Sequence, residues 1–305
     1  MSNYITYMNK LDAAGRAKIL TLLCEGMSIR AVVRVTGASK NTVAKLLVDA
    51  GKACAKHHFH MVRNVKAKRV QADEIWSFVA AKARNVKTMK SDVYGAGSVW
   101  TWTAIDADSK LIISYLVGGR DADYAYEFMH DVASRLANRV QLTTDGWKAY
   151  LDAVEGAFGS DVDYAQLVKI FGATTDRDGR YSPPECVGAE KHPITGRPAD
   201  GHISTSYVER QNLTMRMHNR RFTRLTNAFS KKLDNHLWAI ALHFHYYNFV
   251  RIHSAHRMTP AMAAGISDRL WDVSDIVALV EAEEVKKPTK RGPYKKRGTV
   301  AEDAL

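Results

Sequence analysis

The chain has 305 residues, 46% hydrophobic and 9% aromatic, enough for a sizeable core and about two domains. Forty-four Lys and Arg against 32 Asp and Glu leave a net charge of +12, which favours a polyanionic partner. No apolar run approaches the roughly 18 residues of a membrane span. The opening MSNYITYMNK lacks the apolar core of a secretion signal. The cysteines Cys24, Cys54 and Cys186 form no C-x-x-C pair and fit a reducing compartment. A cytoplasmic protein with no membrane partner is expected.

Residues 11–53 carry three helical patterns. Asp12 precedes AAGRAKILTLLCEG, in which Ile19, Leu22 and Leu23 have helical spacing and Gly26 is the stop. Ser28 can cap a second helix that ends at Gly37, and Ser39 a third, KNTVAKLLVDAG. Short helix, tight turn and a helix opening S-K-N-T predict a helix-turn-helix within an all-α DNA-binding domain at 1–56. The third helix would enter the major groove by its N-terminal end. Lys40, Asn41, Thr42 and Lys45 would then lie near bases and phosphates, since Asn reads adenine and Lys contacts guanine or phosphate. The stretch CAKHHFHMVRNVKAK reads as a basic connector, with a linker at 57–68, and its Cys and His spacing matches no common zinc pattern.

Residues 69–265 read as a catalytic domain. Strands are expected at VQADEIWSFV, SVWTWTAID and KLIISYLVGG, then a helix at DADYAYEFMHDVASRL, a strand at VQLTTD, a helix at GWKAYLDAVEGAFG and a fifth strand at VDYAQLVKI. Three antiparallel-looking strands followed by alternating helix and strand predict an α/β, ribonuclease-H-like fold, a mixed sheet flanked by helices. Residues 172–203 hold four of the seven prolines and read as a long loop insertion beside the active site. Residues 204–229 and 231–253 read as two long helices, and 266–305 as a C-terminal helix and a basic tail, KKPTKRGPYKKRG.

Asp73 sits in the first apolar strand, Asp145 ends a later one, and Glu209 opens a basic helix. An acid inside an apolar strand is costly unless paired or metal-bound. Glu74 is an alternative to Asp73, because neighbours on a strand face opposite ways. On a helical wheel Glu209, Asn212, Arg216, Arg220, Thr223 and Arg224 share one side, so Asn212, Arg220 and Arg224 are further candidate DNA contacts. Carboxylates of this kind suit Mg²⁺, with Mn²⁺ as a substitute. Two such ions ~4 Å apart can serve in-line phosphoryl displacement.

These residues resemble a bacterial insertion-sequence transposase of the DDE type, most similar to the insertion-sequence-one family. The resemblance is carried by Asp73-Glu74-Ile75-Trp76, Thr144-Asp145-Gly146-Trp147 and Tyr207-Val208-Glu209-Arg210-Gln211-Asn212-Leu213-Thr214, with Arg216 seven residues after Glu209. It extends to NAFSKK and YNFVRIHSAHRMTPAMAAG. It implies a catalytic triad of Asp73, Asp145 and Glu209, a basic role for Arg216, Mg²⁺ dependence and action on double-stranded DNA: the element's terminal repeats and target DNA. The reaction on paired ends implies a homo-oligomer. Relatives often carry a cysteine-rich zinc element before the helix-turn-helix, and this chain has no such cysteines. Two rivals are a ribonuclease-H-like nuclease without strand transfer and a helix-turn-helix regulator on an inactive scaffold.

Overall fold

The computed structural model describes residues 11–172, 186–223 and 226–285. Three helices open it: α1 (Ala13–Cys24), α2 (Ile29–Thr36) and α3 (Lys40–Met61). Their starts are set by side-chain caps: Asp12, Ser28 and Ser39 accept the amides of Gly15, Ala31 and Thr42. Gly37 ends α2 in the left-handed region, where a Cβ would be strained. α3 is longer than expected. Residues 52–61 contain no helix breaker, and Ala53, Cys54 and His58 are buried. The first residues of the expected linker therefore form the last turns of a helix.

The sheet follows: β1 (Arg69–Val79), the short α4 (Ala83–Val86), β2 (Gly97–Asp106), β3 (Ile112–Gly118), α5 (Ala122–Arg135), β4 (Val140–Asp145), α6 (Ala149–Phe158), β5 (Val162–Phe171) and β6 (Cys186–Thr195). The strand order is β3-β2-β1-β4-β5-β6. β1 pairs antiparallel with β2 and parallel with β4; β4 and β5 are parallel, and β5 and β6 antiparallel. This is a mixed α/β architecture with a six-stranded sheet flanked by helices. β6 occupies part of the stretch read as a loop insertion. It is an edge strand with mostly exposed side chains, so it shows no burial alternation, and its Pro193 is tolerated at an edge. Residues 173–185 of that insertion lie outside the described residues.

α7 (Ser206–His218), α8 (Leu233–His245, continued by a π-turn Tyr246–Val250), α9 (Pro260–Ala263) and α10 (Val273–Val285) complete the fold. α7 stops eleven residues short of the predicted end. Asn219 leaves helical geometry and its side chain accepts the amide of Arg221, starting a 3₁₀ turn at Arg220–Phe222. Arg220 is thus not on the line of Glu209, and Arg224 lies outside the described residues. The basic tail from 286 onward lies outside them too.

Period-2 alternation along β1 divides two cores. One face packs Trp102, Phe128, Met129, Tyr150 and Tyr164 under α5 and α6. The other packs Ile75, Ile105 and Ile112 against Val208, Met215, Ile240 and Phe244 of α7 and α8. Each such side chain contributes about 1.5–3 kcal/mol by leaving water. A third core joins Ile19, Leu20, Val32, Val43 and Leu46 to Ile276, Val277 and Val280 of α10 and Leu242 of α8. Among the described residues no helix is long and apolar enough to cross a membrane.

The α3–α8 seam depends on Gly51, where a Cβ would lie 2.2 Å from the carbonyl oxygen of Trp238. Gly51→Ala is expected to lower stability by about 1–3 kcal/mol, as overpacking does. Gly201→Ala, with nothing within 4 Å of the added carbon, is expected to stay within about 0.5 kcal/mol. Urea unfolding of both variants checks the contrast.

Candidate active site

The parallel pairing of β1, β4 and β5 gathers acids at one end of the sheet. Asp73 lies midway along β1 and Asp145 is the last residue of β4. Gly146 follows it closely against β5: a Cβ there would sit 2.6 Å from Cγ2 of Val168. Glu209 comes from the first turn of α7, whose N-terminus is seated on β1. The Gln71 side-chain oxygen accepts the amides of Tyr207 at 2.8 Å and Val208 at 3.1 Å. These are donors that a helix start otherwise leaves unsatisfied. Asp73, Asp145 and Glu209 all line one cavity of about 460 Å³, together with Arg120, Trp147, Lys169, Phe171 and Thr205.

The acids differ in their holds. Asp73 accepts its neighbour's amide, from Glu74, at 2.8 Å and the Asn212 side-chain amide at 2.9 Å. Burial, then the charges of Glu74 and Asp145, push its carboxyl up to about 7, with Glu209 adding to the rise. Glu74 projects to the other face, where Arg120 pairs with one oxygen and the Tyr150 hydroxyl donates to the other at 2.7 Å. Burial raises its pKa as well, against those two bonds. Asp145 accepts the Trp147 amide at 3.1 Å and lies 3.8 Å from Arg120. Glu209 is paired with Lys169 and accepts the Thr205 hydroxyl.

Oxygens of Asp73, Glu74 and Asp145 lie within 4.8 Å of one another and could hold a metal ion. The donor set is all carboxylate, which suits a hard divalent cation. Burial and then neighbouring like charge raise the Asp73 carboxyl by disfavouring its charged form, and a bound cation favours that form. Glu209 shares the cavity but stands outside that tight group, turned to Lys169.

The other predicted residues fall differently. Asn212 is buried against Asp73, so it does not face outward as a DNA contact. Arg216 is half-buried on α7 and Arg220 half-buried in the turn after it. Lys40, Asn41, Thr42 and Lys45 are exposed on the first turns of α3, remote in sequence from the acids; Lys45 pairs with Asp49. Asn41, Thr42 and Lys45 line a second cavity of about 430 Å³ with Arg16 and Glu284. Sequence reasoning missed Arg120, Lys169 and Tyr150. Arg120, after β3, carried no local signal, and its position between the rings of Trp100 (5.1 Å) and Trp147 (4.5 Å) is purely tertiary.

No family model matches the chain. It is similar to the insertion element iso-IS1n protein InsB of Shigella dysenteriae, 26% identical over 166 residues, covering 54% of this chain and 86% of that protein. The resemblance to an insertion-sequence transposase carried by the acid motifs thus has a counterpart in a likeness over about half of the chain. Among solved structures the chain is similar to a piggyBac transposase synaptic complex with hairpin DNA, 10% identical, TM-score 0.36, covering 92% of this chain and 73% of that one. It is also similar to a Mos1 transposase paired-end complex with left transposon end, 13% identical, TM-score 0.20, covering 48% and 57%.

The raised carboxyl of Asp73 has a measurable consequence. Its ordinary value is 3.8 and its folded value about 7. Between these the folded state keeps a proton that the unfolded state has lost, so metal-free stability falls as pH rises from about 4 to about 7. A divalent cation must displace that proton, so Mn²⁺ affinity should climb through the same window and level off above about pH 8. Asp73→Asn should flatten both profiles and raise the metal-free melting temperature at about pH 8. Melting curves and titration calorimetry at several pH values check this.

Proposed function

We propose that the chain is a DDE transposase that cuts the ends of a mobile element and joins the freed 3′-hydroxyls to target DNA. The observation that carries this reading is the convergence of Asp73, Asp145 and Glu209 on one cavity. The InsB likeness and the +12 charge support it. So does the strand order, which has the three antiparallel strands and parallel continuation expected of a ribonuclease-H-like domain.

Asp73 and Asp145 would hold the metal, Mg²⁺ by its preference for oxygen ligands, with Glu209 completing the set. When bound, divalent ions supply charge neutralisation at the phosphate and a more acidic attacking oxygen. In the first step water oxygen forms a bond to phosphorus, the bond to the 3′-oxygen breaks, and a proton ends on that oxygen. In the second, the freed 3′-oxygen bonds to a target phosphorus, displacing a target 3′-oxygen that takes up the proton. Both are phosphoryl substitutions, so one site serves both, and the protein mainly positions and neutralises. Lys169 and Arg120 supply fixed positive charge beside the acids. Arg216, seven residues after Glu209, would hold the DNA backbone next to the scissile bond.

The helices α2 and α3 serve as a helix-turn-helix in this reading. The exposed Lys40, Asn41, Thr42 and Lys45 are the residues that contact terminal-repeat DNA. Domain limits of 1–56 and 69–265 go with it, joined by α3 rather than by an extended linker. Pairing two element ends calls for at least two protomers.

Incubating the protein with candidate element ends and Mg²⁺ tests the reading. Ala at Asp73, Asp145 or Glu209 should abolish cleavage and joining and leave end binding largely intact. Chemistry lost on Glu74→Ala but retained in Asp73→Ala would overturn the ligand assignment. Arg216→Lys should retain part of the cleavage and Arg216→Ala much less, because Lys keeps the charge but not the two-toothed grip. Cleavage without joining at any target would instead indicate a nuclease.

Asn41→Ala should weaken binding to the specific ends by about 1–3 kcal/mol, the cost of a lost base contact, with little effect on random DNA. Fluorescence anisotropy on both DNAs reads the difference.

A further inference from the structure

A row of aromatic rings leads outward from the acidic cavity. Trp147 lines the cavity, and Arg120 links its ring to that of Trp100. Trp100 is the cross-strand partner of Trp76. Phe78, two residues on and so on the same face, has its ring 5.7 Å from Trp76 and 4.8 Å from Phe229. Trp76 is 39% exposed although it sits in the middle of the sheet. Folding leaves its ring accessible where the same strand buries Ile75, Ser77 and Val79. An exposed ring among half-buried Trp100, Phe78 and Phe229 marks a binding surface more than a stability need.

The chain segments that follow Phe78 and Phe229 are cationic. The connection from β1 to β2 presents Lys82, Arg84, Lys87 and Lys90, all exposed, against one exposed acid, Asp92. Lys231 and Lys232, both exposed, follow Phe229, with Asp234 as the nearest acid on that side. The Lys231 ammonium lies 5.9 Å from the Phe229 ring. Cations suit phosphates and ring faces suit bases. A paired duplex hides its base faces within the stack and offers only edges and backbone, whereas an unpaired strand offers both faces and phosphates. Such a combination suits an unpaired strand better than a duplex.

We propose that the surface Trp100–Trp76–Phe78–Phe229, with its rim of Lys82, Arg84, Lys87, Lys231 and Lys232, binds single-stranded DNA. Bases of the strand stack on the rings, and its backbone runs between the rim cations toward the acidic cavity. The direction of the strand rests on the phosphoryl-transfer reading of that cavity; the binding stands on the rings and charges themselves. At the end of a duplex the shelf captures bases that open beside the cavity.

The test uses the full chain without divalent metal and three labelled probes: oligothymidylate, a blunt duplex of mixed sequence, and the same duplex with unpaired thymidine arms. The wild type should bind the forked duplex roughly 10-fold more tightly than the blunt one. Trp76→Ala or Phe78→Ala should weaken binding of fork and oligothymidylate by roughly 5- to 150-fold, the effect of one lost stacked base. The blunt duplex should change by less than about two-fold. Trp76→Phe should restore most of the fork binding, and melting curves establish that each variant is folded. Lys82→Glu with Lys87→Glu should reduce the salt dependence on the fork. Equal wild-type affinity for fork and blunt duplex overturns the proposal. So does an equal loss on both in Trp76→Ala, or an aromatic variant that alters only the oligomeric state. Because binding is read without metal, a wild type that prefers forks but never cleaves would keep the shelf and remove the transposase reading.

Discussion

Mutual repulsion among four carboxylates, one buried and three half-buried, is the constraint to which the rest of the site responds. Four acids, Asp73, Glu74, Asp145 and Glu209, face two cations, Arg120 and Lys169. Fully ionised, these four against these two leave an excess of two negative charges among the described residues of the cluster, the charge of one divalent cation. Burial first, and then the neighbouring charges, push the Asp73 carboxyl up to about 7, so that without metal it takes up a proton more readily than an ordinary Asp. A proton relieves the repulsion only one charge at a time. A divalent ion relieves it in one step and binds the oxygens that repel each other most.

The helix that carries Glu209 is gripped at both ends. Gln71 of β1 holds its first amides. Its last turn meets α1 and the residues just after it: His218 lies 3.8 Å from Glu25, and a Cβ on Gly26 would come 2.9 Å from the carbonyl of Met217. The same Glu25 accepts the Tyr246 hydroxyl of the π-turn at 2.8 Å. α3 and α10 extend this contact. Lys56 pairs with Glu283 at 2.9 Å, Arg16 with Glu284 at 3.2 Å, and His57 bonds to His245 across the seam with α8. The N-terminal helices are thus packed on the sheet domain through side chains of α7, α8 and α10.

Much of this was legible because local signals agreed. The caps Asp12, Ser28 and Ser39, the period-2 runs of β1, β2 and β4, and the helical spacing of α5 and α6 each specify the element that forms. The failures occurred where the deciding force was tertiary or the signal weak. The His-rich 54–61 stretch looks like a surface connector, yet α8 buries one side of it and keeps it helical. β6 shows no alternation because an edge strand need not bury a face. The segment after His218 has no proline or glycine to announce its stop, and the Asn219 cap is visible only once the chain has turned. At the site, the three acids could be read from the chain, but their counter-ions could not. Arg120 and Lys169 acquire meaning from which strand ends lie side by side.

The choice between Asp73 and Glu74 shows how the sheet assigns different tasks to adjacent acids. Glu74 points to the α6 face, and both its oxygens are bonded, one to Arg120 and one to Tyr150. Those bonds also hold Arg120, leaving it 3.8 Å from Asp145. Asp73 points to the other face, where its partners are one backbone amide and one neutral side-chain amide. Neither carries a charge, so neither compensates its own. Glu74 therefore shares its cation, Arg120, with Asp145 of the cavity, while the hydrogen bonds of Asp73 come from neutral amides.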